Sequence, residues 1–364
     1  MPQPIGAPRS ARPVRSRARL TRLGALGLSL TVSASVLTAC SSGSASVETP
    51  DITIGYVNSL GSAPFLLGIK QGLFNTGGLS VTPKAYADDT DEEKALKSGE
   101  IQIALGDYTS FLDNQNAAGV APLLQVVGEA YDAGSDTFGL VAARTNTGLS
   151  ADPATTIASK IAGAGISVSV PAFDSPEYVS LAAWAMSEQA PVPSRQSNIH
   201  TAAADADPAS AAKQILSNIA SGNSSAGVLQ EPYLTQALET GKVVELANLS
   251  SGTAADMPVS GYFALTKFTQ SNPNTIAAFD AALAQAQALG DSRVSIEQAL
   301  EAQSVDDTLA ATTQIGNFPS IVVPATIDNV LSLMNAAGLQ IGTLSSGTLT
   351  GTSNSGNSDT MTLG

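Results

Sequence analysis

The chain of 364 residues contains one cysteine and one histidine, Cys40 and His200. An internal disulfide is therefore impossible, and a zinc site built from several Cys or His ligands is excluded. A Ser-His-Asp triad could use only His200, and no nucleophile-elbow motif accompanies any serine. A glycine-rich phosphate loop is also missing. We predict no metal, no cofactor and no catalytic residue, and expect His200 to be a surface or packing residue.

Basic residues are scarce as well. The sequence has 17 Lys and Arg against 31 Asp and Glu, a formal net charge of −14. Six of the basic residues precede Cys40, so the chain from Cys40 onward keeps eleven and carries a formal charge of −20. Such an acidic surface opposes binding to nucleic acid and to anionic lipid. We therefore expect no nucleic-acid partner, and we expect a monomer.

The first forty residues have the organisation of a lipoprotein signal peptide. Arginines precede an uncharged run over residues 23–36, which at fourteen residues is too short to span a bilayer core about 30 Å thick. The run ends at Leu37-Thr38-Ala39-Cys40, with small residues before the cysteine. We predict export, cleavage before Cys40 and a lipid on its thiol that anchors the chain to the outer face of the cell membrane. The alternative is an ordinary signal peptide, or a disordered basic tail, with a chance cysteine.

Strand and helix patterns alternate from Asp51 onward. Strands are predicted at 52–56, 79–86, 101–105, 166–170 and 226–230, and helices begin near Pro64, Thr90, Pro176, Pro208 and Tyr233. Short connections between such elements imply parallel strands joined by right-handed crossovers. After removal of a signal peptide the chain is longer than one hydrophobic core usually supports. We therefore predict an α/β protein with two doubly wound lobes.

Several segments resemble one family of receptors. They are Ile54-Gly55-Tyr56, Gly72-Leu73-Phe74, Leu96 to Ala104 with Gly106-Asp107-Tyr108, Gln230-Glu231-Pro232-Tyr233, Val259 to Ala264, and Asn317-Phe318-Pro319. In this order they resemble the nitrate/sulfonate/taurine and thiamine-pyrimidine-precursor type of ABC transporter substrate-binding protein. The resemblance covers about residues 52–339.

This resemblance implies a type II periplasmic-binding-protein fold, in which two chain crossings join the lobes. We place the crossings near Phe138–Ala143 and 261–265. The expected organisation is a signal peptide at 1–39, a tether at 40–50, lobe one at 51–140 and 262–340, lobe two at 141–261, and a disordered tail at 341–364.

Ligands in open α/β sheets bind beyond the carboxyl ends of the strands, where strand order reverses. This rule selects one pair of loops in each lobe. The candidate ligand-binding residues are Asn58, Ser59, Ser62, Asp107, Tyr108, Thr109, Phe173, Ser175, Glu231 and Tyr233. Alternatives stay open for three of these positions. Asp107 and Glu231 could each stabilise a helix start without contacting a ligand, and Phe173 could instead pack in the interface between the lobes.

The resemblance implies a binding protein rather than an enzyme, which captures a small solute by cleft closure and delivers it to an ABC permease and its ATPase. A lipoprotein that senses a ligand for a membrane receptor is the alternative. Sulfonates, nitrate and pyrimidine precursors are the candidate solutes. Arg144, Arg195 and Arg293 are the arginines that follow Cys40, and none lies in the candidate loops. A guanidinium clamp on an anion is therefore not evident, and a neutral or cationic heterocycle suits the acidic and aromatic residues equally well.

Overall fold

The computed structural model describes residues 46–113, 115, 123–193, 198–203 and 206–351. The predicted signal peptide and Cys40 lie outside the described residues. The strands are β1 (Asp51–Val57), β2 (Ser80–Tyr86), β3 (Ile103–Asp107), β4 (Leu124–Asp132), β5 (Phe138–Ala143), β6 (Val168–Val170), β7 (Ile199–Thr201), β8 (Ala226–Gln230), β9 (Val243–Asn248) and β10 (Pro258–Leu265).

The helices follow the strands in the expected alternation. They are α1 (Ala63–Lys70), α2 (Asp89–Ser98), α3 (Tyr108–Leu112), α4 (Thr147–Ser150), α5 (Ala154–Ala162), α6 (Pro176–Ser187), α7 (Pro208–Ser221), α8 (Tyr233–Glu239), α9 (Thr266–Ser271), α10 (Pro273–Gln287), α11 (Arg293–Ala302), α12 (Asp307–Thr312), α13 (Pro324–Ala336) and α14 (Ser346–Leu349). Short 3₁₀ turns lie at Gly252–Ala254 and Ala288–Asp291. None of the helices in the described part of the chain has the length and apolar character needed to cross a membrane.

The strands form two sheets with the same arrangement. The first has the order β2-β1-β3-β10-β4, and the second has the order β7-β6-β8-β5-β9. In each sheet three parallel strands are followed by an antiparallel one, β10 in the first and β5 in the second. In the first sheet β1 lies between β2 and β3, so the strand order reverses between β1 and β3. We call the elements around the first sheet lobe one and those around the second sheet lobe two.

Apolar side chains explain how lobe one packs. Phe65 of α1 lies between Phe74 and Tyr262, with ring centroids 5.3 and 6.3 Å away. Phe279 of α10 contacts both Phe74 and Tyr262, so this aromatic cluster holds α1 and α10 against one face of the first sheet.

The two chain crossings lie upstream of the predicted positions. The first runs from 133 to 137, between β4 and β5, and the second from 249 to 257, between β9 and β10. The predicted crossing segments are wrong because both are buried, apolar strand segments inside a sheet. Residues 138–140 therefore belong with the second sheet, and residues 258–261 with the first.

The crossings lie side by side. Ala133 donates its N–H to the carbonyl of Met257 over 2.8 Å, and the hydroxyls of Thr137 and Ser250 are 3.0 Å apart. A third segment joins them, because Asn317 exchanges two backbone hydrogen bonds with Asp132. Three stretches of chain therefore meet where the lobes connect.

The predicted tether and tail are both more ordered than expected at their inner ends. Glu48 accepts hydrogen bonds from the backbone N–H groups of Asn274 and Thr275 at the start of α10, so residues 48–50 are docked on lobe one. The prediction of disorder from Ile341 onward is wrong for residues 341–351. Leu349 is fully buried, and Ser346 donates two hydrogen bonds of 2.8 Å to Asp328. The three apolar side chains of this otherwise polar segment are buried, and their burial holds the segment against the core.

Candidate functional site

A cavity of about 450 Å³ lies between the lobes, beyond the carboxyl ends of β1, β3, β6 and β8. Residues of both sheets and of their loops line it. This volume lies within the range of small-molecule sites. One direct hydrogen bond crosses the cavity edge, because the Ser110 hydroxyl of lobe one donates to the Asp174 carbonyl of lobe two over 3.3 Å.

Five of the ten predicted ligand-binding residues line this cavity. Ser59 follows β1, and Asp107 is the last residue of β3. Phe173, Ser175 and Tyr233 face them from lobe two. Ser175 also caps α6, since its hydroxyl accepts the N–H of Tyr178 over 3.3 Å.

The other five lie elsewhere. Asn58 is exposed outside the cavity, and the Ser62 hydroxyl accepts the backbone N–H of Ser59 within their own loop. Tyr108 and Thr109 are fully buried and do not line the cavity.

Tyr108 packs into the core instead of facing a ligand. Its ring lies edge-on to Phe263, with centroids 5.3 Å apart, and a side chain at Gly261 would overlap its hydroxyl end. The structure therefore corrects the prediction of Tyr108 as a cavity contact. The space left by Gly261 is what admits the ring.

Glu231 serves the start of α8. Its carboxylate accepts the hydroxyl of Thr235 over 2.6 Å, the N–H of the same residue over 3.2 Å, and the N–H of Gln314 over 3.3 Å. It is buried and does not line the cavity between the lobes. The contacts of Glu231 are those of a residue that stabilises a helix start. Asp107, by contrast, makes no side-chain cap hydrogen bond with α3.

Sequence reasoning missed five carboxyl groups of the cavity wall. Asp88 and Asp89 lie at the start of α2, and Asp113 follows α3. Asp174 and Glu177 come from the loop before α6 and from its first turn. The acidic run after β2 was a visible signal, but the strand-order rule points to β1 and β3 alone. Asp174 lies inside a loop that was selected for other residues.

Three carboxyls of the cavity wall, Asp89, Asp107 and Glu177, have raised pKa values, chiefly because they are buried. Burial, opposed by hydrogen bonds from Ser110 and Asp107 and reinforced by the charge of Asp174, raises the pKa of Asp89 to about 7. Burial likewise raises the pKa of Glu177 to about 7, with Asp89 adding to the shift. The pKa of Asp107 lies well above its ordinary value because of burial and the charges of Asp89 and Glu177. Ionising all of them in an empty cavity is therefore unfavourable.

Positive side chains are missing from the part of the cavity wall that the structure describes, since no Lys, Arg or His lines it. Arg144 binds the carbonyl of Gly241, and Arg293 binds Glu297, both away from the cavity. Arg195 lies outside the described residues. Among described residues no group of three or more His, Cys, Asp or Glu has the arrangement of a metal site.

His200 lies on β7, away from the cavity. Its Nδ1 is 3.0 Å from the Ser224 hydroxyl, and that hydroxyl is 2.7 Å from the one of Ser169. Ser224 is only 1% exposed, so a substrate cannot reach it. The contact ties β7 to the neighbouring strands.

Comparison with known proteins finds similarity only to solved structures. No protein-family model and no curated protein matches the chain. The alkanesulfonate-binding protein SsuA of Xanthomonas axonopodis pv. citri, solved with bound MOPS, is 14% identical with a TM-score of 0.62, and the match covers 81% of this chain and 96% of that one. The periplasmic aliphatic sulphonate binding protein SsuA of Escherichia coli is 16% identical with a TM-score of 0.59, covering 79% and 86%. The periplasmic nitrate-binding protein NrtA of Synechocystis PCC 6803 is 15% identical with a TM-score of 0.57, covering 72% and 69%.

These similarities show the fold. The chain has the periplasmic-binding-protein fold, with two α/β lobes around a cleft, as its sequence predicts.

Proposed function

We propose that this chain is an extracytoplasmic solute-binding protein, which captures a small solute between its lobes and delivers it to the permease and ATPase of an ABC importer. The observation that carries the proposal is the cavity of about 450 Å³ that both lobes line. A cavity shared by two lobes gives a ligand more contacts in the closed state than in the open state, and this difference is what drives closure.

Two further features support the proposal. The solved structures with this fold include sulfonate- and nitrate-binding proteins, by their own descriptions. The sequence before Cys40 is typical of a lipoprotein signal peptide, so we propose a lipid anchor at Cys40 that keeps the protein near a membrane permease. Radiolabelled palmitate that still enters the Cys40→Ala protein would contradict the anchor.

Solute capture can be tested on the purified protein. A thermal-shift panel would contain choline, benzylamine, ethanesulfonate, nitrate and a neutral aminopyrimidine. We expect at least one member to stabilise the protein, because a ligand at one hundred times its Kd adds about 2.7 kcal/mol. X-ray scattering with that member at saturation should give a smaller radius of gyration than the ligand-free protein.

Tyr233→Ala is the matched variant for this test. Tyr233 lines the cavity from the start of α8, so its loss should weaken binding by about 1–3 kcal/mol and leave the fold intact. Tyr86→Ala, at a half-buried tyrosine outside the cavity, should leave affinity unchanged. An unchanged radius at saturation, or equal affinity in the Tyr233 variant, would contradict capture between the lobes.

A further inference from the structure

The strongest feature that the proposed function leaves unexplained is the charge of the cavity wall. Asp89 and Asp107 of lobe one face Asp174 and Glu177 of lobe two across one space, and no Lys, Arg or His lines it in the described chain. Glu177 is only 3% exposed. Like charges in a water-poor space repel one another, so this arrangement is unfavourable unless a counter-charge enters.

A second, independent observation comes from Ser260 on β10. Its side chain lies at the cavity wall, the residue is 4% exposed, and its hydroxyl has no hydrogen-bond partner among the described residues. Ser260 pairs directly with Asp107 in the antiparallel register of β10 and β3, so the two side chains lie on the same face of the sheet. A buried hydroxyl without a partner, beside a carboxyl without a counter-ion, indicates a bound group that completes both.

Another part of the wall is apolar. Pro208, Ala211, Ala212 and Ile215 of α7 line the cavity from lobe two, together with Val228 of β8. The cavity thus combines a carboxyl-rich region with hydrocarbon surface. A bare metal ion would fill little of this volume and would gain nothing from the apolar surface. The described carboxyls also do not form a metal site.

We propose that the solute is an organic cation, an ammonium or amidinium compound whose charged end lies between Asp107, Glu177 and Asp89 and whose apolar body lies against α7. This inference rests on the proposed function and names its substrate class. The sulfonate- and nitrate-binding relatives share the fold, but the wall of this cavity has the opposite charge preference from the one an anion requires.

The direct test compares cations with uncharged molecules of the same shape. The probes are choline against its carbon isostere neohexanol, and benzylamine against benzyl alcohol, with ethanesulfonate and nitrate as anions. Calorimetry on the full protein should give at least one cation that binds about tenfold or more tightly than its neutral partner, and no binding of the anions. Tighter binding of ethanesulfonate or nitrate, or equal binding within each pair, would overturn the inference.

Asp107→Asn supplies a second readout that needs no ligand. The substitution keeps the shape, removes a charge, and breaks no cap hydrogen bond. We expect the melting temperature of the ligand-free protein at pH 8 to rise and cation affinity to fall about tenfold or more. Glu301→Gln, at an exposed carboxyl on α11, is the charge-matched control and should change neither. A lower melting temperature together with unchanged affinity would assign Asp107 a structural role and overturn the inference.

The outcomes separate the two proposals. Closure on a neutral or anionic probe would retain the solute-binding function and reject the cation. If no probe binds saturably and none closes the cleft, the solute-binding function is rejected, and the proposal of a cationic solute is rejected with it.

Discussion

Buried carboxyl groups outside the cavity also have raised pKa values. Glu129 of β4 is 1% exposed, and burial together with the charge of Asp132 raises its pKa to about 8 even though Thr326 donates a hydrogen bond to it. Burial raises the pKa of Asp132 to about 6. The groups that face this pair are Tyr108, Thr326 and Asp256.

Glu129→Gln should therefore change how stability depends on pH. Because the pKa of Glu129 is higher in the folded state, its stabilising contribution is complete at acid pH and is lost as the pH rises through about 8. We expect the native protein to lose on the order of 2 kcal/mol more unfolding free energy between pH 6 and pH 8 than the variant, in which the cavity carboxyls still titrate. Urea unfolding at the two pH values measures this, with Glu301→Gln as control, and an unchanged slope in the Glu129 variant would contradict it.

Among the elements, α14 is a short helix whose place depends on tertiary contacts, which include the two hydrogen bonds from Ser346 to Asp328. It has four residues and a capping box in which Ser345 and Thr348 bond reciprocally. Such a helix has little intrinsic stability, so its order depends on packing. Leu349 supplies that packing in the hydrophobic core.

We expect Leu349→Ala to lower the unfolding free energy by about 2–4 kcal/mol, because a fully buried leucine leaves a cavity when it is truncated. Gln340→Ala, at an exposed side chain shortly before α14, should change it by less than about 0.5 kcal/mol. Denaturant unfolding compares the two variants. Equal stability in both would mean that α14 contributes nothing to the core.

At the scale of the whole molecule, the lobes connect where three stretches of chain meet. Gly316 fits into this junction because it has no side chain: an added Cβ would overlap the carbonyl oxygen of Asp132 and lie 2.7 Å from the backbone nitrogen of Gly134. Its N–H donates to the Tyr131 hydroxyl over 3.0 Å.

Gly316→Ala should consequently disturb the junction without touching the cavity. We expect a loss of about 1–3 kcal/mol in unfolding free energy and a changed solute affinity. Gly148→Ala is the matched control, because an added Cβ at Gly148 meets no atom within 4 Å. Titration of both variants with the best-binding probe measures the effect, and identical affinities would show that the junction is not coupled to binding.

Regular elements could be predicted from sequence because their boundaries are local. The predicted strand Ala226–Gln230 and the predicted helix Tyr233–Glu239 coincide with β8 and α8. The crossings could not be placed, because β4 contains the polar residues Glu129 and Asp132 and was not predicted as a strand. The sheet to which a strand belongs, and hence the place where the chain passes between the lobes, depends on pairing partners far away in the sequence.

Prediction of the site was limited by side-chain direction. The strand-order rule locates the loops, and five of the ten chosen residues line the cavity. Tyr108 and Asp107 are neighbours in sequence, yet one packs inward against Phe263 and the other lines the cavity. Only the tertiary packing around Gly261 distinguishes them.

The strand that follows the second crossing also carries part of the cavity wall. β10 begins directly after residue 257, lies between β3 and β4 in the first sheet, and places Ser260 at the cavity. The second crossing is thus continuous with a strand that lines the cavity. If the lobes close on a solute as proposed, a shift of this crossing displaces Ser260, and a solute held by Ser260 restrains the crossing. Selectivity and motion in this protein are therefore expected to change together under mutation, so that variants of residues 249–257 alter which solutes are retained as well as how fast the cleft opens.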